Sequence, residues 1–398
     1  MKVAIYLDGK QKGGVDTHLL ALLQNWPNKE NKIFIFHNRD NDGVNENALH
    51  LERLQNVKLI SYKRIYWDRF RLFSFFFSPL IFFYQIVRRY FLLKIHGKFD
   101  ALISDNGGFP GASSCLAIIF SSYCLKIPKR VLLIHHAAMP KMPIFNLFHS
   151  IKNIGLQRCA TDLVTVSLAT RTSLVERHYF NTMVNPIHVI PNGINSNDGF
   201  MHTGINLREK YNITEAEFVL GIVGRVERYK GQEDLIIAMS RLPEEIKVKF
   251  KVLIVGSGDS KEISRLKTML KKYCLQDRVI FTGFIENKSE EIISCFDILF
   301  MLTKDFEAFS YTVAEAMIIG VPTIITDVGA IREYYNSEIT KIIPPESPDM
   351  VCEAIIEYAE DSFSFSNRAA KAKNHIRKFD AKRMAFGFYD LISLGLKS

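Results

Sequence analysis

Short apolar runs, each followed by a longer stretch with helical spacing, recur along almost the whole of this 398-residue chain. Such alternation fits strand-helix-strand units wound around a parallel sheet and little else. The first series has strands predicted at 3–7, 32–37, 57–60, 101–104, 131–134, 163–166 and 187–190. The stretch from Ser196 to Gly204, rich in Asn, Gly and Asp, interrupts it as a linker would. The rhythm then resumes at 218–223, 249–255, 279–282, 298–301, 323–326 and 339–343. The expectation is an α/β protein of two Rossmann-like parallel-sheet domains, with substrates beyond the carboxyl ends of the strands in a central cleft. The boundaries expected are a first domain at 1–195, a linker at 196–215 and a second domain at 216–378.

Bulk composition excludes some alternatives. With 47% hydrophobic and 23% charged residues the chain reads as globular. Lys2 to Leu7 is a strand running straight into Asp8-Gly9, so no signal peptide is expected and the cytosol is the expected compartment. Cys115, Cys124, Cys159, Cys274, Cys295 and Cys352 form neither a CxxC pair nor a Cys/His cluster, and read as reduced, mostly buried thiols without structural zinc.

The net charge of +9 is unevenly spread. Between Tyr62 and Lys98 lie Lys63, Arg64, Arg69, Arg71, Arg88, Arg89, Lys94 and Lys98, against the single acid Asp68. They flank an aromatic run, 72–87, that is too short to span a bilayer and is interrupted by Pro79. Two readings follow: core helices with snorkelling arginines, or an anionic membrane surface met through residues 62–98. Nucleic acid is not expected as a partner, because bulky apolar residues alternate with the basic ones and no nucleic-acid-binding motif accompanies them.

Four segments carry candidate chemistry. In Gly221-Ile222-Val223-Gly224-Arg225-Val226-Glu227-Arg228-Tyr229-Lys230-Gly231 a strand ends, and a guanidinium and an ammonium emerge on one loop between glycines. That pair suits a diphosphate whose charge grows as it leaves. In Phe306-Glu307-Ala308-Phe309-Ser310-Tyr311-Thr312-Val313-Ala314-Glu315 two carboxylates flank a loop-to-helix junction, with a helix start near Phe309 or Ser310 offering amide donors. Gly13-Gly14 and Asp16, ahead of a helix at 17–24, would let backbone approach a sugar or phosphate, although paired glycines are often merely a turn. His135-His136 and Asp105-Asn106 close two further strands. Asp40-Asn41-Asp42 has the form of a metal-binding DxD but sits in a polar stretch and reads as a solvated loop.

Taken in order, Gly13-Gly14, His135, Val189-Ile190-Pro191-Asn192-Gly193-Ile194, Gly224-Arg225 with Lys230-Gly231, and Glu307 with Glu315 resemble the retaining glycosyltransferases of family 4, which have the GT-B fold. The resemblance implies that Arg225 and Lys230 bind the donor diphosphate, that Glu307 faces the donor sugar, and that Glu315 binds the ribose. It also implies that His135 lies beside the transferred sugar, that backbone at Thr282-Gly283-Phe284-Ile285 contacts the base, and that 379–398 is a helix crossing back to the first domain. Gly14, Gly224, Ala308, Phe309 and Ser310 complete the donor side, and Asp16, Asp105 and Asn106 the acceptor side. The chain departs from the family pattern at Ala308 and Ser310, where Gly is common, at Asn195, where Asp is common, and at Gly329-Ala330, where Gly-Gly is common.

The expected reaction is transfer of a sugar from a UDP- or GDP-type nucleotide-sugar donor to a lipid-linked or surface-polysaccharide glycan, at the cytoplasmic membrane face. No cofactor and no essential metal are expected, because the cationic pair can stabilise the leaving diphosphate. A sugar-nucleotide 2-epimerase and a non-catalytic partner subunit are the alternatives.

Overall fold

The computed structural model describes all residues except 66–75, 141–145, 196–206, 287–288 and 395–398. Two compact units result: Met1–Asn195 with Ala381–Ser398, and Ser196–Asp380. The linker expected at 196–215 lies largely outside the described residues, and so do Arg69 and Arg71.

The first unit is a seven-stranded sheet of β1 (Lys2–Leu7), β2 (Lys32–Asn38), β3 (Val57–Tyr62), β4 (Ala101–Asn106), β5 (Lys129–Ile134), β6 (Asp162–Thr165) and β7 (Ile187–Val189). Its order is β3-β2-β1-β4-β5-β6-β7, and every pair is parallel. All six residues of β4 are buried. Helices on both faces are what bury a central parallel strand so fully, including the polar Ser104, Asp105 and Asn106 at its carboxyl end. The chain runs outward from β1 to β3, then returns to place β4 beside β1, so the switch point of the sheet lies between the ends of β1 and β4.

The second unit repeats the plan with β8 (Phe218–Val223), β9 (Phe250–Val255), β10 (Val279–Gly283), β11 (Ile298–Met301), β12 (Thr323–Thr326) and β13 (Lys341–Ile343). The order β10-β9-β8-β11-β12-β13 puts its switch point between β8 and β11. Leu220, Ile222, Val252, Ile254, Ile298 and Phe300 supply the sheet side of its core, against Leu235 and Met239 of helix Gln232–Arg241 and Leu266 of helix Ser260–Lys272.

Helix Ala381–Leu394 belongs to the first unit. There Phe388 meets His18 edge-on at 5.6 Å and Tyr389 meets Trp26 at 6.0 Å. Asn195 closes the same region: its carbonyl oxygen accepts from Asn25 at 2.6 Å while its amide donates to Gln24 Oε1 at 2.8 Å. An aspartate could make only the first of these bonds, which accounts locally for asparagine at this position.

Several expectations need correction. The helix after Gly13 starts at Gly14, three residues before the predicted start, because Gly13 N–H donates to Asp16 Oδ2 at 2.9 Å and closes a capping interaction. Pro79 lies in the first turn of helix Ser78–Lys94, where its missing N–H costs nothing, and the aromatic run is broken by a turn at Phe77 just before that helix. Arg89 is buried, donating to the Tyr6 hydroxyl at 2.6 Å beneath the stacked Tyr6 and Tyr62 rings. The stretch at Asp40 is no simple solvated loop, since buried Asn41 accepts from Val44 N–H at 2.7 Å and caps a short helix. Of the six thiols only Cys115, Cys159 and Cys352 are buried, and none of the six is in a disulfide.

Candidate functional site

In the second unit the candidate residues gather at the carboxyl ends of β8 and β11. The turn after β8 is possible only with glycine at key points. Gly224 has a φ of 149° and an added Cβ there would have open space, so its bare backbone faces outward. At Gly231 (φ 75°) a Cβ would come within 2.0 Å of the Leu302 carbonyl oxygen, so the β8 turn and the β11 end touch backbone to backbone.

This proximity brings the charged groups together. Lys230 Nζ lies 3.1 Å from Glu307 Oε2 and 3.5 Å from Thr303 Oγ1, and Thr303 Oγ1 is 3.4 Å from the same carboxylate oxygen. Arg225 donates to Glu227 at 2.7 Å and to the Tyr229 hydroxyl at 2.9 Å, and Gln232 Nε2 grips its carbonyl at 3.0 Å. Burial pushes the Tyr229 hydroxyl up to about 12, so at neutral pH it stays a neutral partner for Arg225. In the sequence only the place of Thr303, two residues past the β11 run, signals its part in the site.

The loop carrying Glu307 is clamped from behind. Ala330 N–H donates to the Glu307 carbonyl at 2.9 Å, and the Tyr335 hydroxyl donates to the Phe309 carbonyl at 2.5 Å. Phe309 is itself core, packed edge-on against Tyr311 and Tyr334, so only its backbone is available to a ligand. Ala308 and Glu315 are buried. Ser310 caps helix Tyr311–Ile319 with φ 57°, a left-handed conformation that favours glycine. Phe284 is exposed and Ile285 half-buried beyond the end of β10.

In the first unit the other candidates meet at the ends of β1, β4 and β5. Asp105 Oδ1 accepts from His135 Nε2 at 2.8 Å, and His18, in the sequence one letter of an apolar run, places Nδ1 3.7 Å from Asp105 Oδ2. Burial pushes the Asp105 carboxyl up, but the His135 charge and hydrogen bond, helped by the nearby His18 ring, outweigh it and hold the group well below the usual carboxylate range. Burial lowers His18 and keeps its ring neutral. His18, Asp105 and His135 offer ligand atoms within 4.8 Å of one another, a set with the composition of a metal centre, whereas Asp40 and Asp42 stand exposed. Asn106 holds a turn, donating to the Pro110 carbonyl at 3.0 Å and accepting from Ala112 N–H at 3.1 Å. His136 is exposed.

Residues 205–379 match the family of glycosyl transferases group 1. This stretch is similar to group 1 glycosyltransferases. Over 339 residues the chain is 23% identical to the O-antigen biosynthesis glycosyltransferase WclY of Escherichia coli, covering 84% of this chain and 83% of that one. An uncharacterized glycosyltransferase of Methanocaldococcus jannaschii, MJ1607, is 28% identical over 195 residues, and the match spans about half of each chain, 48%. Among solved structures, Anabaena Alr3699/HepE in complex with UDP-glucose superposes with a TM-score of 0.75 at 17% identity, covering 99% of this chain and 100% of that one. At that identity the likeness is one of fold, and the fold is GT-B. The chain spans about half the length of the first curated relatives it matches, proteins that are themselves named glycosyltransferase or synthase.

Proposed function

We propose that this glycosyltransferase moves a sugar, with retention at the anomeric carbon, from a UDP- or GDP-type nucleotide-sugar to a hydroxyl of a lipid-linked or surface-polysaccharide glycan. One observation carries the reading: Arg225 and Lys230 stand with Glu307 around bare glycine backbone at the switch point of the second sheet. Ligands of open α/β sheets bind at such a point. The diphosphate takes the two cations, and Glu307 accepts hydrogen bonds from sugar hydroxyls. As the bond from the anomeric carbon to the diphosphate oxygen breaks, its electron pair stays with the diphosphate, whose growing charge Arg225 and Lys230 stabilise. The acceptor oxygen bonds to the same face of that carbon, and its proton passes to the departing diphosphate. No essential metal enters this route. His18, Asp105 and His135 have the composition of a cation site, of which Asp105 Oδ1 and His135 Nε2 are engaged in their mutual 2.8 Å hydrogen bond.

The assembly of a surface glycan is supported by the name of the Escherichia coli relative, and UDP as the donor base by the ligand in the Anabaena structure. An anionic membrane surface is the proposed location of the acceptor. Helix Ser78–Lys94 turns Leu80, Phe83, Val87 and Phe91 outward, and no helix among the described residues is long and apolar enough to cross a membrane. Metal-free thermal shifts against UDP-, GDP-, ADP- and dTDP-sugars test the donor. At 100 times the dissociation constant one class should add about 2.7 kcal/mol, and Arg225→Ala should abolish the gain. Inverted product stereochemistry, or a sugar trapped on Glu307, would defeat the mechanism.

A further inference from the structure

The Asp105 carboxylate is buried at the end of β4 and can only accept hydrogen bonds. Its 2.8 Å contact with His135 therefore requires the hydrogen on Nε2, which in a neutral ring leaves the lone pair on Nδ1. His135 follows the last residue of β5, at the edge where ligands of such sheets bind. We infer that Asp105 is a positioning residue that fixes His135 as the Nε2–H tautomer, so that Nδ1 presents a hydrogen-bond acceptor to a hydroxyl of the sugar substrate. The inference rests on the proposed function for the identity of that hydroxyl; the tautomer itself does not.

The neighbours support a role beyond packing. Asn106, one residue on, shows what a structural polar group does here, with both ends of its amide used by a turn. Asp105 is different. Its Oδ2 and both ring nitrogens of His18 have no hydrogen-bond partner among the described residues, although all are buried. A fold seeking only stability would not keep three such atoms together, and groups of this kind commonly mark a functional demand. His18 closes the rear of the pair: its ring meets His135 edge-on at 4.7 Å and is backed by Phe388 at 5.6 Å. Helix Ala381–Leu394 thus buttresses the pair from the far end of the sequence.

The test uses the full chain labelled with ¹⁵N-histidine, with His135 assigned by loss of its signal in His135→Gln. Long-range ¹H–¹⁵N correlation should find the Nε2–H tautomer in the wild type, a measurement that needs no further variant. Asp105→Asn, whose amide can donate, should move the ring toward Nδ1–H and lower kcat about 100-fold, as the same exchange does in serine-protease triads to a larger extent. The donor KM should change little, because Arg225 and Lys230 are untouched. An Nδ1–H ring in the wild type, an unchanged tautomer with full turnover in Asp105→Asn, or a stoichiometric metal ion lost on that substitution would each overturn the assignment. If the wild type turns over no sugar nucleotide yet the tautomer switches as expected, the proposed function falls and the assignment of Asp105 stands.

Discussion

Lys230 and Glu307 form an ion pair at 3.1 Å across the ends of β8 and β11, with Thr303 beside both. Their side chains are 26% and 19% exposed, so solvent screens the pair and its contribution to stability is at most about 1 kcal/mol. The arrangement therefore makes more sense as a poised charge than as a fold-stabilising one. Glu307→Gln should leave the urea midpoint almost unmoved while lowering kcat by roughly 10²- to 10³-fold, the range for losing one group that acts on the transition state. Turnover at the wild-type rate would remove Glu307 from the chemistry.

The three glycines around this pair should respond differently to alanine. At Gly231 a Cβ would press within 2.0 Å of the Leu302 carbonyl, and at Gly256 within 2.0 Å of the Gly224 carbonyl, both backbone atoms that cannot swing aside. Each substitution should destabilise the second unit by about 2–3 kcal/mol or more, with strain and clash acting together. At Gly224 only the positive φ resists, because nothing lies in the path of the methyl. Gly224→Ala should fold with about 1 kcal/mol lost yet bind donor more weakly. Comparable melting curves for all three variants would contradict this ordering.

Ser310 carries left-handed backbone at φ 57° in return for a 3.4 Å contact with Thr312 Oγ1, too long to repay it. Ser310→Gly should raise stability by about 0.5–1 kcal/mol by relieving that conformation, offset in part by the extra freedom of the unfolded chain. A lower midpoint in denaturant would show that the hydroxyl matters more than the strain.

The sheets were legible because each strand is a compact apolar run: all thirteen predicted strands occur, with ends displaced by a residue or two, as at 249–255 against Phe250–Val255. Charged groups on loops, such as Arg225, Lys230 and Glu307, were legible too, since glycines and strand ends frame them. What escaped depends on contacts distant in sequence. His18 looks like a core residue until β4 brings Asp105 beside it, 87 positions away by the numbering, and Arg89 looks like its neighbour Arg88 until Tyr6 and Tyr62 enclose it. Adjacent helical residues point about 100° apart, so a basic pair can hold one member in water and one in the core.

Burial pushes the Asp16 carboxyl up to about 6, with the charge of Asp105 adding to the rise and the Gly13 N–H opposing it. Between the ordinary value of 3.8 and about 6, the folded chain keeps a proton that the unfolded chain has released. Folding then takes up a proton, so stability falls as pH rises through that window and levels off above it. Asp16→Asn can still accept from Gly13 N–H and carries no charge. It should flatten the slope between about pH 4 and 6 and gain on the order of 2 kcal/mol over the wild type at pH 7. Parallel pH–stability curves for the two proteins would refute the role given to burial.

Arg88 and Arg89 separate the membrane reading from the core reading of the same helix. Leu80, Phe83, Val87, Phe91 and Ile95 follow one another at intervals of three or four residues and are exposed, so they form a single stripe. Phe82, Arg89 and Leu93 occupy the buried side, where Phe82 meets Phe120 at 5.5 Å and Arg89 lies 4.9 Å from the Tyr62 ring centre. Arg88 is half-buried near the stripe and supplies charge that an anionic headgroup would meet. Phe83→Ser with Phe91→Ser and Arg88→Gln should lower binding to vesicles containing phosphatidylglycerol by more than tenfold, given about 1.5–3 kcal/mol for each aromatic ring taken out of water and about 1 kcal/mol for the cation. Arg89→Gln should do the opposite kind of damage: about 2–4 kcal/mol of folding stability lost with the Tyr6 bond and the ring contacts, and unchanged vesicle binding by the folded fraction. If the triple variant still co-sediments with vesicles like the wild type, the stripe does not face a membrane.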